Sequence, residues 1–236
     1  MVYIDNLKLA DIGFYINLDK RTDRNNQLIK NLQEFNISGV VRQSARTDTD
    51  TPQLNLINTT FDIYNKFIQS DAETLLILED DCKFLEPFLE KKEIIISDIY
   101  NTDWDLFWLG CVNRKQPIYY KNNCYNVSST SYAQSYIIKR KMAEDILHYF
   151  ENDWSNLNPD ELLCLFAYGY DIAKYPNKHN FYDIDQPLDI FETKYKCLCY
   201  EYPLSTQYNS YSDLWGWVTN LEHWIPNSHP KKYNKE

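Results

Sequence analysis

Residues 74–84 read TLLILEDDCKF. Leu75, Leu76, Ile77 and Leu78 are consecutive apolar residues that run straight into Glu79, Asp80 and Asp81, and the chain turns apolar again at Phe84 and Leu85. An apolar run this short, bounded by polar residues, fits a strand covered on both faces, as in the middle of an α/β sheet. Three adjacent carboxylates at the end of such a strand repel one another. Two readings stand: they hold a divalent cation through oxygen, or they solubilise a strand end.

Working outward from that strand, the first half of the chain alternates. GFYINL (13–18) reads as a buried strand, and residues 22–36 place Leu28, Ile29, Leu32 and Phe35 at helical spacing, with Thr22 or Asp23 as the cap. GVVRQSA (39–45) reads as a second strand. Leu54, Ile57, Phe61, Tyr64 and Ile68 line one face of a second helix. After the strand at 74–79, Pro87 opens a helix through about Tyr100, and DLFWLGC (105–111) is a further strand. This order predicts right-handed crossovers and a mainly parallel, Rossmann-like sheet flanked by helices. Ligands bind such sheets beyond the carboxyl ends of the strands. That places the Asn17–Arg24 loop, the Ala45–Asp50 loop and Glu79–Asp81 on one rim.

The second half is less regular. Residues 116–129 read as short strands or a hairpin, 132–138 as a strand, 141–151 as a helix and 196–202 as a strand. Asn158-Pro159-Asp160-Glu161 is a helix start with an N-cap, Pro at the first helical position and acids in the first turn. No repeat or linker divides the chain, so one domain is expected over 1–236, with 226–236 as a tail.

The 236 residues include 44% hydrophobic and 25% charged, ordinary for a globular protein. A formal charge of −10 without a basic stripe argues against nucleic acid as a partner. No stretch suits a bilayer span, and the N-terminus lacks the basic-then-apolar pattern of a signal peptide. A cytoplasmic chain is therefore expected, a viral or host-cell setting being left open. The six cysteines form no C-x-x-C pair and read as reduced, buried thiols. The 20 tyrosines suit a protein that stacks rings on sugars or bases, and equally a plain composition bias.

The second candidate motif is Asn17-Leu-Asp-Lys-Arg-Thr-Asp-Arg24. Arg21 and Arg24 share a face if a helix starts there. Guanidinium groups match phosphate with paired hydrogen bonds. The plain alternative is a helix start with surface charges.

Taken together, INLDKRTDR and LLILEDD resemble the family-25 glycosyltransferases, which include bacterial lipopolysaccharide galactosyltransferases and procollagen galactosyltransferases. The resemblance continues through Ala45 at a strand-end motif, DLFWLG (105–110), SYAQSYIIKRKMAEDIL (131–147), QPLDIF (186–191) and YPLSTQYNSYSDL (202–214). It covers about residues 13–214. The chain departs from the family at LNLINTTFDIYN (54–65), where a Gly-x-x-x-Cys-x-x-Ser-His segment is usual.

The resemblance implies a GT-A fold, with a nucleotide-binding half over about 1–111 and an acceptor-binding half over about 112–225. It implies a UDP-sugar donor, a saccharide or protein acceptor, and Mn²⁺ or Mg²⁺. By position Asp81 is the principal metal ligand, and Glu79 or Asp80 supports the metal or touches ribose. Asn17, Arg21 and Arg24 lie near the nucleotide, with Gln207, Ser212 and Asp213 near the diphosphate. An inverting transfer needs a general base. Asp189 in QPLDIF is its first candidate, with Asp160 or Glu161 as the rival. A late His (His179, His223 or His229) would be a further metal ligand. Two other classes stand beside it. A non-catalytic nucleotide-sugar-binding relative is suggested by the departure at 54–65. A nucleotidyltransferase would want an early Gly-rich loop, and only Gly13 precedes Gly39.

Overall fold

The computed structural model describes residues 8–50, 52–113, 115–127, 130–150, 195–213, 218–219 and 224–231. In chain order its first half runs β1 (Ile12–Asn17), α1 (Thr22–Glu34), β2 (Val40–Ser44), α2 (Pro52–Ile68), β3 (Thr74–Glu79), β4 (Cys82–Phe84) and α3 (Glu86–Tyr100). Then come β5 (Leu106–Asn113), β6 (Ile118–Lys121), β7 (Cys124–Asn126), β8 (Thr130–Lys139) and α4 (Arg140–Phe150). The last described elements are β9 (Cys197–Tyr200), β10 (Ser205–Gln207), β11 (Ser210–Tyr211), β12 (Val218–Thr219) and a short α5 (Trp224–Ser228).

An 8-stranded sheet in the order β2-β1-β3-β8-β5-β9-β7-β6 forms the centre. The α/β class expected from the sequence is the observed one, a large sheet flanked by helices. β3 occupies its middle, as its four apolar residues demand: Leu75 through Leu78 are all buried. β3 pairs in parallel with β1, and β1 in parallel with β2. The sheet is more mixed than expected, however. β8 lies antiparallel between β3 and β5, and β7 is antiparallel to both β9 and β6. The reason is local. No helix separates β5 from β8; the chain makes the β6–β7 hairpin and returns, and parallel pairing would need a crossover of roughly a dozen residues or more. Asn122 and Asn123 at the hairpin tip both have positive φ (50° and 56°), the conformation that matches the strand twist in a two-residue turn.

Each face of the sheet carries its own core. Ile57, Ile63, Tyr64 and Phe67 of α2 and Met142, Ala143 and Ile146 of α4 cover one face. Leu28 and Leu32 of α1 and Phe88, Ile95 and Ile99 of α3 cover the other. Fully buried side chains of this size contribute roughly 1.5–3 kcal/mol each. α1 starts one residue earlier than a side-chain cap would require. Arg21 is the N-cap and makes no side-chain capping bond, so the expected Thr22 or Asp23 cap does not form; Arg21 is drawn instead toward acids on either side. The helix ends with Asn36 at φ 53°, Ile37 N donating to Leu32 O and Asn36 N to Gln33 O. That left-handed residue satisfies two terminal carbonyls and turns the chain into β2. Cys82, Cys111, Cys124, Cys197 and Cys199 are free and buried; Cys164 lies outside the described residues. Among the described residues no helix is long and apolar enough to cross a membrane.

Candidate active site

The carboxyl ends of β1, β2 and β3 lie side by side. Asn17 stands opposite Ser44, Ile16 opposite Glu79, and Ala45 N donates to Asn17 O at 3.0 Å. The three loops expected on one rim therefore meet there.

Arg24 is the centre of the arrangement. The first turn of α1 carries it inward, and only 8% of the residue is exposed. Its Nη1 donates to Asp80 Oδ1 at 2.8 Å and lies 3.2 Å from Asp81 Oδ2. Its Nη2 donates to Ser210 Oγ at 2.6 Å and to the Tyr211 carbonyl at 2.7 Å. Asn17 completes the grip on Asp80: its Nδ2 donates to Asp80 Oδ2 at 2.8 Å and to the Arg21 carbonyl at 3.1 Å. Asn17 is itself held by Arg42, whose Nε donates to Asn17 Oδ1 at 2.9 Å and whose Nη2 bonds Asp19 at 2.6 Å.

Both oxygens of Asp80 are thus committed to protein donors. Asp81 differs. Its Oδ1 is buried without a hydrogen-bond partner. Burial pushes its carboxyl up to about 6; Arg24 pulls against that and Asp80 adds to it. One buried guanidinium faces two buried carboxylates, so the cluster carries an uncompensated negative charge when both are ionised. Taking such charges out of water costs several kcal/mol per ion unless something else compensates them.

A segment nearly two hundred residues downstream closes the site. Leu204 N donates to Leu109 O at 2.8 Å, and β10 then pairs antiparallel with β4, setting Gln207 opposite Cys82. Tyr208 N donates to the Asp81 carbonyl at 2.8 Å. β10 fits because residue 110 is glycine: a Cβ there would collide with the Ser205 carbonyl and crowd Ser205 Oγ and Gln134 Nε2. Gln207 Oε1 is another buried acceptor without a partner. Beyond it, Arg21 Nη1 donates to Asp213 Oδ2 at 2.6 Å and to the Tyr211 carbonyl at 3.1 Å, and Lys20 Nζ lies 2.7 Å from Asp213 Oδ1. Arg21 also holds Asp23 through two bonds, and those bonds lower the Asp23 carboxyl to about 2.

The structure therefore brings together Asn17, Arg21, Arg24, Ala45, Asp80, Asp81, Gln207 and Asp213. Glu79 is half-buried at the end of β3, and half-buried Ser212 sits in the docked segment. Sequence reasoning missed Arg42, Lys20, Ser210 and the Tyr211 carbonyl. Arg42 left a trace, as the one cation in the strand VVRQS; a backbone carbonyl leaves none. Asp189, Asp160, Glu161, His179 and His223 lie outside the described residues. His229 is buried, its Nδ1 donating to Ile225 O at 3.0 Å, and burial lowers it to about 4. Among the described residues no group of three or more His, Cys, Asp or Glu side chains is placed to hold a metal ion.

No family model matches the chain. In sequence it is similar to glycosyltransferases: procollagen galactosyltransferase 2 of Homo sapiens is 23% identical over 231 residues, which is 82% of this chain and 36% of that protein. The Mus musculus protein gives the same identity and coverage. The chain thus spans about a third of the length of the curated relatives it matches. Among solved structures, A197 from STIV superposes with a TM-score of 0.46 at 14% identity, covering 84% of this chain and 86% of that one. A glycosyltransferase involved in glycosylation of the major capsid of PBCV-1 gives 0.43 at 11% identity, covering 66% and 74%. These superpositions are too loose to bear on function.

Proposed function

We propose that the chain is a GT-A-type glycosyltransferase that moves a hexose from a UDP-sugar to a hydroxyl of a saccharide or of a modified protein side chain, with inversion and with Mn²⁺ or Mg²⁺. The sequence likeness to glycosyltransferases supports the general class. The observation that carries the finer reading is the Asp81 carboxylate. It is buried at a sheet rim beside Arg24, has its pKa raised by burial, and keeps one oxygen without a protein donor.

A hard divalent cation fits that oxygen. Mg²⁺-type sites commonly use one or two carboxylates and take their other ligands from water and substrate phosphates, so a three-residue protein cluster is not required. Asp81 would hold the ion; Gln207, whose Oε1 is also unpartnered, lies on the strand paired with β4. Asp80, tied to Asn17 and Arg24, would serve as a support. Such an ion would supply neutralisation of the negative charge that develops on the departing UDP.

The chain's own residues do the rest. Arg24 fixes both carboxylates, Asn17 fixes Asp80, and Arg42 fixes Asn17. Arg21 and Lys20, both paired with Asp213, form a lip on the same rim. In the transfer, the acceptor oxygen bonds to the anomeric carbon while the bond from that carbon to the UDP oxygen breaks. The acceptor proton passes to a carboxylate base. Asp189 is proposed for that role, with Asp160 or Glu161 as the alternative.

UDP release from a panel of UDP-sugars with Mn²⁺ tests this. Metal-dependent release should occur with at least one donor and should vanish in Asp81→Asn. Undiminished metal-dependent release in that variant would refute the assignment. The segment at 54–65 favours a second reading, a nucleotide-sugar binder without turnover; UDP-sugar binding with no UDP release across acceptors would identify it.

A further inference from the structure

We infer that the lip formed by Lys20 and Arg21 is an oxyanion site for a phosphoryl or pyrophosphoryl group, occupied in this state by the chain's own Asp213, so that ligand and strap compete for it. The inference rests on the reading of this rim as the donor-diphosphate site and adds its regulation.

The geometry of Asp213 is that of a bound anion. One oxygen meets Arg21 Nη1 at 2.6 Å and the other meets Lys20 Nζ at 2.7 Å. Two oxygens of one group facing two cations is how a phosphoryl group is held. The partners come from opposite ends of the chain, so the contact is tertiary. It is also accessible: the Asp213 side chain is 21% exposed and that of Lys20 is 69% exposed. Burial raises the Asp213 carboxyl, but the bonds to Lys20 and Arg21 outweigh it and hold the group below the usual carboxylate range. It is therefore an anion at neutral pH.

The strap has a firm root and a charged tip. Ser205, Thr206 and Gln207 are buried and paired with β4. Residues 210–213 receive bonds from Arg21, Arg24 and Lys20. A doubly charged group entering the lip takes the place of Asp213 on Arg21 and Lys20 with more charge than that carboxylate carries, while Asp23 keeps its two bonds to Arg21. Asp213 then leaves, and the strap opens from its tip while β10 stays in place. An internal competitor reduces apparent affinity to the fraction of molecules whose lip is open, so a fivefold effect corresponds to about 80% closed.

The test measures inorganic pyrophosphate affinity by calorimetry in wild type, Asp213→Ala, Asp213→Asn and Asp103→Ala. Asp103 pairs with Lys196 and Lys139, away from the rim, and controls for net charge. Both Asp213 variants should bind pyrophosphate at least fivefold more tightly, while Asp103→Ala matches wild type. In wild type, pyrophosphate should also speed hydrogen exchange of 208–213 and leave 205–207 protected. Unchanged or weaker affinity in the Asp213 variants, including no binding by any form, overturns the inference, as does slower exchange at 208–213. Competition with pyrophosphate but no UDP-sugar turnover keeps the strap and removes the transferase. Turnover with Asp213-independent affinity removes the strap alone.

Discussion

Replacing Asp81 by Asn should stabilise the metal-free protein at neutral pH while abolishing its metal-dependent activity. The folded-state pKa of Asp81 is raised from 3.8 to about 6, with burial as the largest cause. Between those values the folded protein binds the proton more tightly than the unfolded chain, so this group's contribution falls as pH rises through the window and is constant above it. A shift of about two units corresponds to about 3 kcal/mol. Asn removes the charge but keeps the shape, so about 1–3 kcal/mol should be recovered above pH 7 and almost nothing at pH 4. Urea denaturation of both proteins at several pH values in EDTA reads this directly. The stability difference, variant minus wild type, should rise from near zero at pH 4 to a plateau by pH 7. Carboxylates with lowered pKa, such as Asp23, change stability at lower pH and cancel in the difference. A difference independent of pH, or an Asn variant less stable at pH 8, would refute the claim that burial outweighs Arg24 here. Mn²⁺ at about a thousand times its Kd should reverse the order, because it stabilises only the form that binds it, by about 4 kcal/mol.

Three further outcomes are expected. Arg24→Met leaves Asp80 and Asp81 facing each other without a cation and should cost about 3–5 kcal/mol at pH 7.5; the loss in urea midpoint should shrink at pH 5, where Asp81 takes up its proton. Gly110→Ala drives a Cβ into the Ser205 carbonyl and should cost about 3 kcal/mol, with hydrogen exchange at β10 rising before the rest of the sheet. Asn31 Oδ1 accepts from the buried Phe84 N at 2.8 Å; Asn31→Leu orphans that donor and should lower stability by about 2 kcal/mol in denaturant titration.

The strands and helices of the first half were legible because each carries one clear period. TLLILE occupies β3 residue for residue, and α1, α2 and α3 lie where apolar spacing and Pro87 put them. The rim followed, since a strand's end and its direction fix where its last side chain goes. The antiparallel insertion of β8 was not legible. YAQSYII reads as a strand in either direction, and direction is set by the hairpin that precedes it. β4 and β10 were missed because a three-residue strand has no period; their pairing depends on Gly110, whose significance appears only once Ser205 lies against it. The two arginines were found as candidates, but their partners were not. A guanidinium three residues into a helix can point at phosphate or at its own protein's carboxylates, and spacing alone treats the two alike.

The distance along the chain between Arg24 and Ser210, 186 residues, bears on how the protein is made. During synthesis the acidic pair and its arginine emerge before β5 to β10 have been made, and can dock on one another first. The strap that roofs them is made only after every strand of the central sheet. A nascent chain therefore holds an open, incompletely walled cleft until the strap has emerged, and a product cut before residue 205 would keep that cleft unroofed.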